Sequence, residues 1–211
     1  SRQITEAICD FWDTPGRTWK DADPAFALLD VGGYNYMWRQ YEPDHQRYPN
    51  RIMVGTESVP QEAFQNWALV EKHPYIIGDF VWTAMDYLGE SGIGHTSCDT
   101  ASQFQLEPWP WFNAYCGDVD LIGNKKPQSY FRVIIWRRSS VEMAVHAPAA
   151  PGCREVLSYW GWPDEQQSWT WPGNEGKMMD VAVYTRAPAV HLLLNGKMVA
   201  EKNIADSNRF T

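Results

Sequence analysis

Four short segments in the first two-thirds of the chain set the strongest limit on its fold. Residues 26–31 (Phe-Ala-Leu-Leu-Asp-Val), 52–55 (Ile-Met-Val-Gly) and 75–82 (Tyr-Ile-Ile-Gly-Asp-Phe-Val-Trp) are nearly continuous in apolar side chains, and residues 3–8 read as a fourth short strand. A strand with one wet face alternates apolar and polar residues, whereas a parallel strand covered on both faces does not. Between the last two runs, residues 60–73 carry Ala63, Phe64, Trp67, Ala68 and Val70 at helical spacing. Strand, helix, strand in that order predicts a piece of a parallel α/β structure.

The last third has a different period. Residues 141–146 and 180–184 alternate with period two, and residues 190–194 and 197–202 flank Asn195-Gly196. Asn-Gly tolerates the positive φ values of a tight hairpin turn. Short strands separated by Pro and Gly predict an antiparallel β-sandwich. The boundary is expected after a helix over 130–136, near Arg137 to Ser140. That gives an α/β region at 1–137 and an all-β region at 138–211.

Charge and composition remove several functions. The net charge of −8 repels phosphate backbones, so nucleic acid is not an expected partner. No signal-peptide pattern or membrane-length apolar run occurs, and no membrane partner is expected. Cys9, Cys98, Cys116 and Cys153 lack Cys-x-x-Cys spacing and the five His residues are scattered, so no metal site is expected. Free buried thiols are expected rather than a Cys98–Cys116 bridge. The twelve Trp residues cluster at Trp109/Trp111, Trp160/Trp162 and Trp169/Trp171. Indoles suit stacking on sugar rings, and they equally fill cores.

Glu57 follows Ile-Met-Val-Gly-Thr at the C-terminal end of a buried strand, the end where parallel barrels gather functional groups. A carboxylate held there can attack an anomeric carbon; it can also simply open the next helix, with Thr56 or Ser58 as cap. Position alone leaves both readings open. Trp82 holds the matching place on the following strand, as sugar platform or rim packing. Tyr34, Asn35 and Tyr36 follow the earlier run, where a phenol could orient and tune a carboxylate. Asp79 reads as an interior acid, and Glu42, Asp86 and Glu90 as loop carboxylates. Gly89-Glu-Ser-Gly-Ile-Gly94 lacks the lysine of a phosphate cradle and reads as a rim loop.

Taken together, Asp30-Val-Gly-Gly-Tyr-Asn-Tyr36, Val54-Gly-Thr-Glu-Ser-Val-Pro60 and Gly78-Asp-Phe-Val-Trp-Thr-Ala-Met-Asp-Tyr-Leu-Gly-Glu90 resemble glycoside hydrolase family 2, of the β-galactosidase-like kind. Trp109-Pro-Trp-Phe-Asn113 and Gly123-Asn-Lys-Lys-Pro127 are similar to the segment that closes that family's barrel. Trp169-Thr-Trp-Pro-Gly173 and Leu194-Asn-Gly-Lys197 carry a weaker likeness to the immunoglobulin-like domain that often follows. The resemblance implies that residues 1–137 are strands five to eight of a TIM (β/α)8 barrel. It implies that residues 138–211 are an immunoglobulin-like β-sandwich, whose last strands can lie beyond Thr211. It implies Glu57 as nucleophile, Tyr36 as the residue that orients it, with Tyr34 the alternative if the match slips, and Trp82, Asn35 and Tyr34 as substrate-binding.

The activity implied is retaining, exo-acting hydrolysis of terminal β-glycosides, β-galactosidase- or β-glucuronidase-like, with a carbohydrate substrate and no cofactor. The family's general acid/base follows an asparagine at the end of the fourth strand, and Asn174-Glu175 does not fit, lying in a Pro-Gly-rich loop of the sandwich region. The chain alone is therefore expected to be inactive, needing the N-terminal remainder of a parent chain and otherwise self-associating. Export to the periplasm or beyond is suggested by the family alone. The alternative function is a non-catalytic carbohydrate-binding or structural module built on Trp160, Trp162, Trp169 and Trp171.

Overall fold

The computed structural model describes residues 2–98, 106–203 and 209–210. The chain divides into two compact units, Ser1–Thr83 and Ala84–Thr211. The sequence periods divide it by kind of secondary structure instead, since among the described residues the last helix ends at Ile135 and strands follow it.

The first unit alternates β1 (Thr5–Ile8), α1 (Asp23–Phe26), β2 (Val31–Asn35), α2 (Tyr41–Arg47), β3 (Met53–Glu57), α3 (Ala63–Lys72) and β4 (Ile76–Asp79). The four strands form one sheet in the order β1-β2-β3-β4, every pair parallel. Parallel neighbours need a crossover, and the helices supply it. Their shared core holds Trp19, Phe26, Tyr34, Tyr41, Met53 and Ile76, with Leu69 and Val70 of α3 packed on it. Cover on both faces is corrected by the structure. Ile76 is 3% exposed, yet its neighbour Ile77, pointing to the other face as successive strand residues do, is 61% exposed.

The run at 26–31 is also corrected. Pro24, pre-set for a first helical turn, helps start α1, so Phe26 closes a helix and the strand begins only at Val31. Gly32 and Gly33 therefore sit inside β2, not after it. Gly33 is needed there: a Cβ would lie 2.2 Å from the Glu6 carbonyl oxygen and 2.7 Å from Thr56 Cγ2. Backbone cannot move aside as a side chain can, so Gly33→Ala is expected to push β1 off β2. The cost should be about 1–3 kcal/mol, as for other overpacked sites. Urea denaturation checks it, and an unchanged midpoint would show that the sheet is not tight there.

Asp44 of α2 anchors the helix layer. It is 1% exposed and accepts hydrogen bonds from Trp19 Nε1 (2.8 Å), Tyr34 Oη (3.0 Å), Arg47 Nη2 (2.6 Å) and Arg51 Nη1 (3.3 Å). A buried carboxylate is tolerated because charged and neutral donors surround it.

The second unit contains β5 (Tyr87–Leu88), β6 (Thr96–Cys98), β7 (Asn113–Ala114), α4 (Pro127–Ile135), β8 (Val141–His146), β9 (Glu155–Leu157) and β10 (Glu165–Gln166). After them come β11 (Val181–Thr185), β12 (Ala189–Leu194), β13 (Lys197–Asn203) and β14 (Arg209–Phe210). An antiparallel sheet runs β10-β8-β11-β14, while β5 pairs β7, β6 pairs β9 and β12 pairs β13. The β12–β13 turn has Asn195 at φ 51° and Gly196 at φ 76°, as its Asn-Gly predicts. Helix α4 packs on β8 and β11; between them Phe131 lies 5.1 Å from Trp162 and 5.5 Å from Tyr184, centroid to centroid. Buried Glu165 accepts from Trp162 Nε1 (3.2 Å) and the Tyr184 hydroxyl.

The expectation of four free thiols fails. Cys98 and Cys153 form a disulfide across a separation of 55 residues, beside the β6–β9 pairing that matches Cys98 with Glu155. The partner was hidden because the strand pairing that unites them is not local. Cys9 and Cys116 remain free, and burial pushes the Cys116 thiol up to about 12.

Candidate active site

The strand ends of the first unit converge on Glu57. It is the last residue of β3, opposite Asn35 across the β2–β3 ladder, whose register shifts between Tyr34 and Asn35. The shift frees the backbone to turn: Tyr36 takes φ 58°, unusual for a bulky residue, and its N–H donates to the Glu57 carbonyl at 2.9 Å. On the other side the Trp82 N–H donates to the Ser58 carbonyl (3.0 Å) and Ser58 Oγ to Asp79 Oδ2 (2.6 Å). Main-chain bonds thus fix Tyr36, Glu57 and Trp82 on three adjacent strand ends. The Trp82–Thr83 peptide is cis.

The polar groups around Glu57 differ in what they leave open. Asn35 Oδ1 and Thr56 Oγ1 are buried without a hydrogen-bond partner among the described residues. A buried acceptor or hydroxyl so placed costs free energy until a ligand or water fills the position. The Cys9 thiol, just past β1, is raised mainly by burial, with the Asp10 and Glu57 carboxylates adding to the rise. Trp12 is 63% exposed, its ring 6.4 Å from that of Tyr36. Neither Cys9 nor Trp12 stands out in the sequence, since no spacing links them to a strand end three segments away.

Tyr34 must be withdrawn from the site. It is 0% exposed, its hydroxyl donates to Asp44 and accepts from Arg51 (3.1 Å), and burial raises its pKa. Alternation in β2 sends Tyr34 into the helix layer and Asn35 to the other face.

The remaining acids are engaged elsewhere. A side chain at Gly55 would find its space taken, with Asp79 Oδ1 and Tyr41 Oη only 2.2 and 2.7 Å from where its Cβ would stand, so Asp79 is an interior acid. Glu42 pairs with Lys72 and His73, and those hydrogen bonds lower its pKa. Asp86 is buried against Lys126 at 2.9 Å, and Glu90 accepts from the Tyr87 hydroxyl. Glu175 accepts from the Gly173 N–H (3.2 Å) in an exposed turn. Among the described residues no group of three His, Cys, Asp or Glu could hold a metal ion.

A parallel α/β sheet with one uncommitted carboxylate at a central strand end defines a class of site suited to nucleophilic chemistry. No family model matches the chain. Over 89% of its length it is 37% identical to a glycosyl hydrolase family 2 member from Bacteroides cellulosilyticus, with a TM-score of 0.75, covering 25% of that chain. A second structure of such a member from Bacteroides cellulosilyticus DSM 14838 matches 99% of the chain at 33% identity, with a TM-score of 0.74, and 24% of that protein is covered. The β-galactosidase BoGH2A of Bacteroides ovatus is 29% identical over 130 residues, which is 61% of the chain and 11% of that relative. The resemblance to glycoside hydrolase family 2 therefore holds, and the chain is of glycosidase lineage. It spans a quarter of the solved relatives and about a tenth of the curated one.

Proposed function

We propose that Glu57 is the nucleophile of a retaining, exo-acting β-glycosidase, β-galactosidase- or β-glucuronidase-like, of which this chain is one portion. The observation that carries this reading is Glu57 at the end of β3, with Tyr36 and Trp82 tied to the same strand end. In this reading residues 1–137 are the second half of a TIM barrel and residues 138–211 an immunoglobulin-like sandwich. The parallel sheet, the exposed Ile77 face and the short coverage of relatives support it.

Double displacement proceeds in two steps. The Glu57 carboxylate attacks the anomeric carbon as the glycosidic bond breaks, and an acid supplied by the rest of the enzyme protonates the leaving oxygen. Water, deprotonated by that same group, then cleaves the glycosyl ester and returns Glu57 as carboxylate. The two carboxyls must stand about 5–5.5 Å apart, and among the described residues of the first unit no second acid is placed for that role. Asn35 is positioned to bond a sugar hydroxyl and Trp82 to floor the sugar; Tyr36 orients Glu57. Alone, the chain is inactive and self-associates through its uncovered sheet. The Cys98–Cys153 bridge supports an oxidising compartment such as the periplasm.

A complete glycosidase carrying this segment should be inactivated by a 2-deoxy-2-fluoro-β-glycoside with a good leaving group, which slows ester hydrolysis more than its formation. Peptide mass spectrometry is expected to find one sugar on the peptide containing Glu57. A sugar on another carboxylate would overturn the assignment.

A further inference from the structure

We propose that the second unit has its own binding cleft for a neutral saccharide, separate in sequence from the strand ends that carry Glu57. The cleft is lined by residues between Gly94 and Gln167 and encloses about 530 Å³, within the range of small-ligand sites. Its aromatic lining is a connected set: His95 and Trp111 lie 4.3 Å apart at 37°, and Trp111 meets Tyr115 edge-on at 5.5 Å. Tyr115 is 41% exposed although ringed by these partners. The Lys126 ammonium already stands 3.4 Å from the centre of the Tyr115 ring, so half-buried Trp111 is the ring of the set left to meet the C–H side of a sugar.

The polar lining narrows the ligand class. Lys126 is spent on Asp86 (2.9 Å) and the Tyr115 carbonyl (2.6 Å). Glu165 is spent on Trp162 and Tyr184, and Asp120 accepts the N–H groups of Ile122 (3.0 Å) and Asn124 (2.8 Å). These three build the frame. Lys125, Asp164, Gln166 and Gln167 are the exposed polar groups that also line the cleft; Gln167 Nε2 donates to Glu142 at 3.1 Å and Gln166 bonds Asp164, surface contacts that the hydroxyls of a ligand can replace. They amount to one cation, one anion and two amides, with no net charge to hold an ion. An anionic ligand would also meet Asp120 and Glu165, and a purely apolar one would strand the amides without water. A neutral molecule rich in hydroxyls, with one apolar face, satisfies both sets of groups.

The test is a calorimetric titration of the purified chain with lactose and with cellobiose, followed by the same titration of Trp111→Ala, Gln166→Ala and Lys125→Ala. Saturable binding by the unmodified chain is expected, weakened about tenfold in Trp111→Ala and about threefold in each polar variant, given typical stacking and hydrogen-bond contributions. Circular dichroism checks each fold; if Trp111→Ala does not fold, the two exposed polar variants decide. No saturable binding, or affinities that the folded variants leave unchanged, would overturn the cleft. So would binding lost in Glu57→Gln but kept in all three. None of these results bears on the glycosyl ester at Glu57, which mass spectrometry reads separately.

Discussion

Glu57→Gln, made in a complete glycosidase carrying this segment, is expected to lower kcat by roughly 10⁴-fold or more, the scale on which essential nucleophiles fail. The change should leave stability nearly untouched. What binds the neighbouring strand is the Glu57 carbonyl, which accepts the Tyr36 N–H, and glutamine keeps that carbonyl and the side-chain shape. The amide cannot form the glycosyl ester, so loss of rate with an unaltered melting temperature separates chemistry from folding. Glu57→Ala sharpens the result. With the carboxylate gone, added azide can attack from the vacated face and give a glycosyl azide of inverted anomeric configuration. Normal turnover by Glu57→Gln, or azide product of retained configuration, would assign the nucleophile elsewhere.

How much of this could be read from sequence depended on how local the signal was. Residues 60–73 were legible as a helix because spacing within one turn carries the pattern, and α3 lies inside them. Asn195-Gly196 fixed its hairpin for the same reason. The strand at 26–31 was misplaced because Phe26, Leu28 and Leu29 are apolar in either conformation, and Pro24 decided for helix. The position of Glu57 at a strand end was legible because the apolar run that forms β3 leads directly into it. Tyr34 was not separable from Asn35 until the strand start was known, because moving a strand by one residue exchanges its faces. The Cys98–Cys153 bridge, the Lys126–Asp86 pair and the aromatic cleft join residues far apart in sequence. No local rule could reach them.

The largest loss of stability is expected at Asp44, the residue that holds Tyr34 out of the site. Asp44→Ala would leave Trp19 Nε1 and the Tyr34 hydroxyl facing a cavity with no acceptor, and would remove the carboxylate that Arg47 and Arg51 share. Arg51 would suffer most, since only 11% of its side chain is exposed. It would keep its stacking on Phe26 (4.3 Å) and Tyr48 (4.1 Å); Arg47 would keep Asp23 at 2.8 Å. Breaking a buried charge pair by deleting one partner costs about 3–5 kcal/mol, a large share of the roughly 5–15 kcal/mol that holds a typical domain together. Asp44→Asn should lose less, because its carbonyl oxygen can still serve Trp19 or Tyr34, while its amide faces an arginine it cannot satisfy. Urea denaturation followed by tryptophan fluorescence measures the loss, with Trp19 of the hub among the twelve emitters. A loss under about 1 kcal/mol in Asp44→Ala, the scale of an exposed ion pair, would mean that water reaches the arginines and that the helix layer does not depend on the carboxylate.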